Sequence, residues 1–216
     1  MPNILDIRDS YHSTLAFLPT RTEFPVLLNE RRLVGCGVEI GVQLGEYSST
    51  ILKYWRGMHL ISVDPWLSDT PENYIDIANV PQSQHEERYR EACQKLAPHG
   101  ARSSIWRMTS LEAAPRIPDY SLDFVYIDAR HDYASVMEDL VAWVPKVRPG
   151  GIVAGHDYLD GMLAAGEFGV KRAVDEYFAE RGLRVFSTLL DAPWFSFLVE
   201  VPPPGDAADV PDADAL

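Results

Sequence analysis

Two short segments of this 216-residue chain carry the side chains best suited to chemistry. One reads Phe124-Val-Tyr-Ile-Asp128-Ala-Arg-His131, the other Gly155-His156-Asp157-Tyr158. Each sets a carboxylate and an imidazole directly after an apolar run. Together such groups can move protons near neutral pH, and they can also hold a divalent cation. Four ionisable side chains gathered in one place are costly unless they serve a ligand or a metal. For any one of them a plain structural role competes: Asp132 or Asp157 as a helix cap, His131 as a hydrogen-bonded loop histidine. Two strand ends that each carry an Asp/His pair favour chemistry. A third segment, Glu39-Ile-Gly41-Val-Gln-Leu-Gly45-Glu-Tyr-Ser48, puts two glycines between a strand and a helix. Such a turn lets the backbone approach a ligand and points free N–H groups at it. Its GxxxG spacing is neither the GxGxxG of dinucleotide binding nor GxxxxGK[ST], and alone it also fits a tight turn.

These residues need a scaffold that brings distant segments together. Apolar strand-like runs lie at 38–42, 59–63, 104–108, 122–127 and 152–154, followed by 183–190 and 194–201. Between them, apolar residues recur at helical spacing. Tyr133, Val136, Met137, Leu140, Val141 and Val144 form one such face. Val170, Ala173, Val174, Tyr177 and Phe178 form a second, and Tyr89, Ala92, Cys93 and Leu96 a third. Each predicts one buried face of an amphipathic helix. Short strands alternating with helices predict an α/β fold, a mostly parallel sheet covered on both sides. The last two runs are separated only by Asp191-Ala-Pro and predict a hairpin, hence an antiparallel C-terminal strand. The expected architecture is a doubly wound, Rossmann-like, seven-stranded sheet. Its C-terminal edge would gather the glycine turn, Asp128, His131, His156 and Asp157 into one crevice. Asp64 ends the second strand, 25 residues after Glu39, where it could accept two ribose hydroxyls or cap a turn.

Composition narrows the function. The 19 basic and 32 acidic residues leave a net charge of −13, which disfavours nucleic acid and anionic membranes as partners. Two cysteines, Cys36 and Cys93, without a CxxC exclude a thiolate zinc cage and fit a reducing, cytoplasmic setting. The N-terminus carries acids where a secretory leader needs an apolar stretch, and no window is apolar enough to span a bilayer. Residues 1–33 are expected to form a helical cap, 34–201 the main domain, and 202–216 a disordered acidic tail.

The E-x-G-x-x-x-G loop, Asp64 at the next strand end and the terminal hairpin together resemble class I S-adenosylmethionine-dependent methyltransferases over about residues 34–200. The resemblance implies that Glu39 faces the methionine amino group, with Gly41, Gly45 and the Ser48 helix start under the cofactor. Asp64 would hold the ribose, Pro65 or Trp66 would lie against the adenine, and Ser110 would sit near its edge. The segments around Asp128 and His156 look like those of small-molecule O-methyltransferases of the catechol, macrocin and mycinamicin type. That resemblance implies a magnesium ion on Asp128, His156 and Asp157, with Asp128 also beside the cofactor and His131 as general base. His156 departs from the group, where a carboxylate is usual, and imidazole is a soft ligand for magnesium. Long segments at 66–84 and 158–168 suggest lids. Trp66, Tyr74 and Tyr158 are candidates to touch a ring of a small-molecule acceptor, with core packing as the competing role. A homodimer or higher homo-oligomer fits helices placed outside the core.

Three other readings share these residues. His131, His156 and one carboxylate could form a 2-His-1-carboxylate iron site for hydroxylation. The crevice could bind S-adenosylmethionine or a nucleoside without catalysis. A NAD-linked dehydrogenase is the most distant, because GxGxxG is missing.

Overall fold

The computed structural model describes residues 15–70 and 74–202. Seven strands form the main sheet: β1 (Cys36–Ile40), β2 (His59–Val63), β3 (Ser103–Trp106), β4 (Leu122–Ile127), β5 (Val147–Gly155), β8 (Phe186–Ser187) and β9 (Phe197–Glu200). Their order is β3-β2-β1-β4-β5-β9-β8. Pairings from β3 through β5 are parallel, whereas β9 runs antiparallel to both β5 and β8. The doubly wound sheet and its antiparallel C-terminal strand are as expected. Chain order reverses between β1 and β4, and ligands of open α/β sheets bind outside the strand ends at such a reversal.

Helices cover both faces. They are α1 (Phe24–Glu30), α2 (Glu46–Tyr54), α3 (Gln82–Leu96), the single turn α4 (Ser110–Ala113), α5 (Tyr133–Trp143) and α6 (Val170–Ala179). All six residues of β4 are buried, because successive side chains point to opposite faces and both faces are covered. Val125 and Ile127 pack with Val136, Leu140 and Trp143 of α5 and Val174 and Phe178 of α6. Phe124 and Tyr126 pack with Phe24, Leu27 and Leu28 of α1 and Ile51 and Trp55. The rings of Phe24 and Phe124 meet edge to face at 5.5 Å. Thr20 and Glu23 form a reciprocal cap just before α1, and Pro25 sits in its first turn. Residues 15–33, part of the expected cap, lie against this face of the sheet. Residues 1–14 and 203–216, and with them nearly all of the expected tail, lie outside the described residues.

Three expectations change. The 183–190 run pairs as a strand only at Phe186–Ser187, because its flanks bond elsewhere. The Leu183 N–H goes to Phe178 at the end of α6, and those of Leu189 and Leu190 go to Leu18 and Pro19. The 158–168 segment is a small hairpin, β6 (Asp160–Leu163) with β7 (Gly166–Gly169). Its glycine-rich sequence hides the period-2 signal. Part of the 66–84 segment joins that hairpin through an Asp76–Gly166 bridge and an Ile77 N–H to Ala165 bond. The two expected lids are thus one unit. Among the described residues no helix is long and apolar enough to cross a membrane.

Candidate functional site

A crevice of about 810 Å³ opens at the strand reversal, lined by the ends of β1, β2, β4 and β5, by residues of the 66–84 segment and by the β6–β7 hairpin. Gly41 shapes its floor. Its φ is +85°, and a Cβ there would lie 2.0 Å from the Asp128 carbonyl oxygen, so only glycine lets β1 leave the sheet this close to β4. Gly45 (φ +73°) starts α2 and backs onto Ala92 of α3; it does not line the crevice. Asp64 ties the glycine turn in place. Its Oδ2 accepts from the Val42 and Gln43 N–H groups, both at 2.9 Å, and its Oδ1 from Trp66 N–H at 2.7 Å.

Glu39 alternates with Val38 and Ile40 and so points to the α1–α2 face. It is 1% exposed, and Ser48 Oγ donates to its carboxyl. Burial pushes that carboxyl up to about 8, opposed by the Ser48 bond. Ser48 itself is fully buried behind the crevice, 2.9 Å from Ser62 Oγ. Trp66 is 1% exposed and donates from its indole to the Gln43 carbonyl at 2.8 Å, with Tyr89 4.9 Å away. It forms a wall packed into the core. Pro65 lines the crevice beside it. Ser110 accepts from the Trp143 indole at 2.7 Å and donates to Asp139, whose buried carboxyl is pushed up to about 6.

The second constellation converges as expected. His131 donates from Nδ1 to Asp76 at 2.7 Å and lies 3.0 Å through Nε2 from Asp157 Oδ2. His156 Nδ1 lies 2.9 Å from Asp157 Oδ1 and 3.8 Å from Asp128 Oδ1. Arg21 Nη1 completes the row, 3.3 Å from Asp128 Oδ2. An alternating chain of acids and bases therefore crosses the crevice from Asp76 to Arg21 of the N-terminal segment. Asp157 has φ 53°, a left-handed turn that a short carboxylate tolerates, and it and His156 both line the crevice. Burial opposes charge on His131, but bonds to Asp157 and Asp76 outweigh it and push the imidazole up to about 10. Burial likewise opposes charge on Asp157, yet bonds from His131 and His156 hold its carboxyl well below the usual range. Burial drives Asp128 the other way, upward.

A cation would need oxygen and nitrogen donors close together. Among the described residues, Asp128, His131 and Asp157 bring ligating atoms within 4.8 Å of one another. His156, 2.9 Å from Asp157 and 3.8 Å from Asp128, stands directly beside that group. Two carboxylates and one imidazole suit a borderline divalent ion better than magnesium, and His131 and His156 both also stand against the one carboxylate of Asp157, at 3.0 and 2.9 Å. Tyr158 is a correction: its hydroxyl donates to Asp175 of α6 and Lys171 lies over its ring, so it faces away from the crevice. Tyr74 does line the crevice, beneath the Arg130 guanidinium at 4.6 Å.

Sequence reading missed Arg21, Asp76, Phe168 and Trp194. Phe168 stacks on His131 at 4.8 Å, and Trp194 tilts against Phe168 at 5.5 Å. For Arg21 a local signal exists in Thr20-Arg-Thr-Glu23, a capping box ahead of Phe24-Pro25. For Asp76 only its place in a long loop was visible.

The family described as a methyltransferase domain matches residues 38–158. Protein y4gI of Sinorhizobium fredii is 27% identical over 130 residues, 60% of this chain but 13% of that protein, so the chain spans about an eighth of that relative's length. The fold is shared with two solved O-methyltransferases. One is TomG of Streptomyces achromogenes, involved in tomaymycin synthesis and solved with S-adenosylmethionine (TM-score 0.59, 17% identity, 84% of this chain and 79% of that one). The other is an enzyme of Bacillus cereus solved with S-adenosylhomocysteine (TM-score 0.58, 13% identity, 91% and 88%).

Proposed function

From a chain that belongs to the methyltransferase-domain family, we propose an enzyme that transfers a methyl group from S-adenosylmethionine to a hydroxyl of a small molecule. One observation carries this reading: the glycine turn with Glu39 and Asp64 shares a single crevice with the Asp128–His131–His156–Asp157 cluster. Methyl transfer from a sulfonium is an in-line displacement, so donor and hydroxyl must meet at about 3 Å in a defined line. The turn and Asp64 hold the nucleoside end, and Glu39 takes the ammonium of the methionine end. The acceptor oxygen lies toward His131, whose Nε2 takes its proton.

Proton transfer sets a condition. An imidazole pushed up to about 10 is protonated at neutral pH and cannot act as a base. An acceptor hydroxyl entering between His131 and Asp157 replaces the carboxylate at Nε2 and removes one cause of the rise; the imidazolium must then release its Nε2 proton to solvent before the neutral ring can take the hydroxyl's proton. Asp76 then keeps Nδ1 as the protonated nitrogen and Nε2 as the acceptor. If a divalent ion is used, Asp128, His131 and Asp157 would hold it, and the chemistry it supplies is to lower the pKa of the hydroxyl. In that arrangement His156, bonded to Asp157, is the remaining imidazole for the proton.

The test is formation of S-adenosylhomocysteine from S-adenosylmethionine across a panel of hydroxylated sugars, phenols and secondary metabolites. Turnover with at least one class supports the reading. Tight donor binding with no turnover on any class would leave a binding module instead.

A further inference from the structure

We infer that Arg21 binds the carboxylate of the donor's methionine end, an assignment that rests on the donor reading above. A bound S-adenosylmethionine brings an ammonium, a sulfonium and a carboxylate into this crevice. The crevice is rich in acids, which suit the two cations, but the carboxylate needs a positive partner near Glu39. Three arginines line the space: Arg21, Arg88 and Arg130. Arg130 is paired with Asp69 and lies over Tyr74, and Arg88 donates to the Ala78 carbonyl at 2.9 Å, both at the lid side. Arg21 is the one at the β1 and β4 tips. Its charge is felt by Glu39, its guanidinium lies 4.9 Å over the Tyr47 ring just past the glycine turn, and its contact with Asp128 is long, at 3.3 Å.

The backbone of Arg21 is held as a binding residue should be. Its N–H donates to Asp191 at 2.7 Å, and its carbonyl accepts from the Tyr47 hydroxyl at 2.9 Å. The capping box of Thr20 and Glu23 fixes the flanking turn. Little ordering therefore remains to be done on binding. A planar guanidinium carries N–H donors beyond those directed at Asp128 and Tyr126 and matches a carboxylate in two-pronged geometry.

Titration calorimetry with two ligands tests this: S-adenosylmethionine, and its decarboxylated form, which keeps the nucleoside, sulfonium and amine. Arg21→Ala should weaken the first roughly 10- to 100-fold and change the second less than about threefold. Arg21→Lys should keep part of the affinity and also serves if the alanine variant folds poorly. Equal losses for both ligands would make Arg21 a structural residue, and no loss for either would remove it from the site; each overturns the inference while leaving the donor reading intact. If the unaltered protein binds neither ligand, the donor reading fails and the inference with it.

Discussion

The protonation of Glu39 gives the donor reading a quantitative consequence. In the free crevice its carboxyl is pushed up to about 8 from an ordinary 4.5. At pH 7 about nine molecules in ten therefore carry that proton. An ammonium set against the carboxyl favours its ionised form. Binding of S-adenosylhomocysteine, which keeps the ammonium, should then release about 0.9 proton at pH 7, and affinity should rise about tenfold per pH unit from pH ~6 toward 8 before levelling. Titration calorimetry in buffers of different ionisation enthalpy reads the proton count as a slope. Glu39→Gln should abolish this component and flatten the pH dependence. A zero slope in the unaltered protein, or the same slope in the glutamine variant, would show that Glu39 does not meet the ammonium. The same shift has a stability side. Because the folded pKa lies above the unfolded one, stability from neutral Glu39 is complete below about pH 4.5 and declines as pH rises through about 8.

Other residues give sharper yes-or-no results. His131→Ala should lower turnover roughly 10²–10⁴-fold while leaving donor affinity unchanged; full turnover would exclude it from proton transfer. Gly41→Ala should destabilise the fold by roughly 3 kcal/mol or more, since left-handed backbone and a backbone clash add up; urea unfolding within 1 kcal/mol of the parent, on the order of a surface substitution, would refute the close approach to Asp128. Tyr158→Phe should leave the acceptor KM unchanged and cost about 1 kcal/mol of stability through the lost bond to Asp175; a raised KM would return Tyr158 to the crevice. Exhaustive chelation should abolish turnover if Asp128, His131 and Asp157 hold a required ion, with manganese restoring it better than magnesium. Undiminished turnover after chelation would leave these residues to proton transfer and positioning alone.

Much of the site was legible in the residues because its parts stand at strand ends. The runs that end at Asp64, Asp128 and His156 are apolar, and a parallel sheet gathers all such ends along one edge. Gly41 was legible for a related reason: a glycine directly after a strand marks a backbone that must turn or approach another chain closely. The roles within the crevice were less legible. Trp66 stands one residue past Pro65, yet its ring belongs to the core, because its indole found the Gln43 carbonyl. Tyr158 follows Asp157 directly but turns toward α6. Asp76 lies 55 residues from His131, and no local pattern joins them.

The chain's periodicities determined the alternation of strands and helices, and with it the sheet and the edge where ligands bind, because burial of apolar faces follows rules of spacing. Which carboxylates each imidazole meets, where Arg21 aims, and how the 66–84 segment joins the β6–β7 hairpin were decided by tertiary structure alone. Hydrogen bonds and ion pairs depend on distances of a few tenths of an ångström between residues far apart in sequence. Those distances come from packing, which no local spacing records.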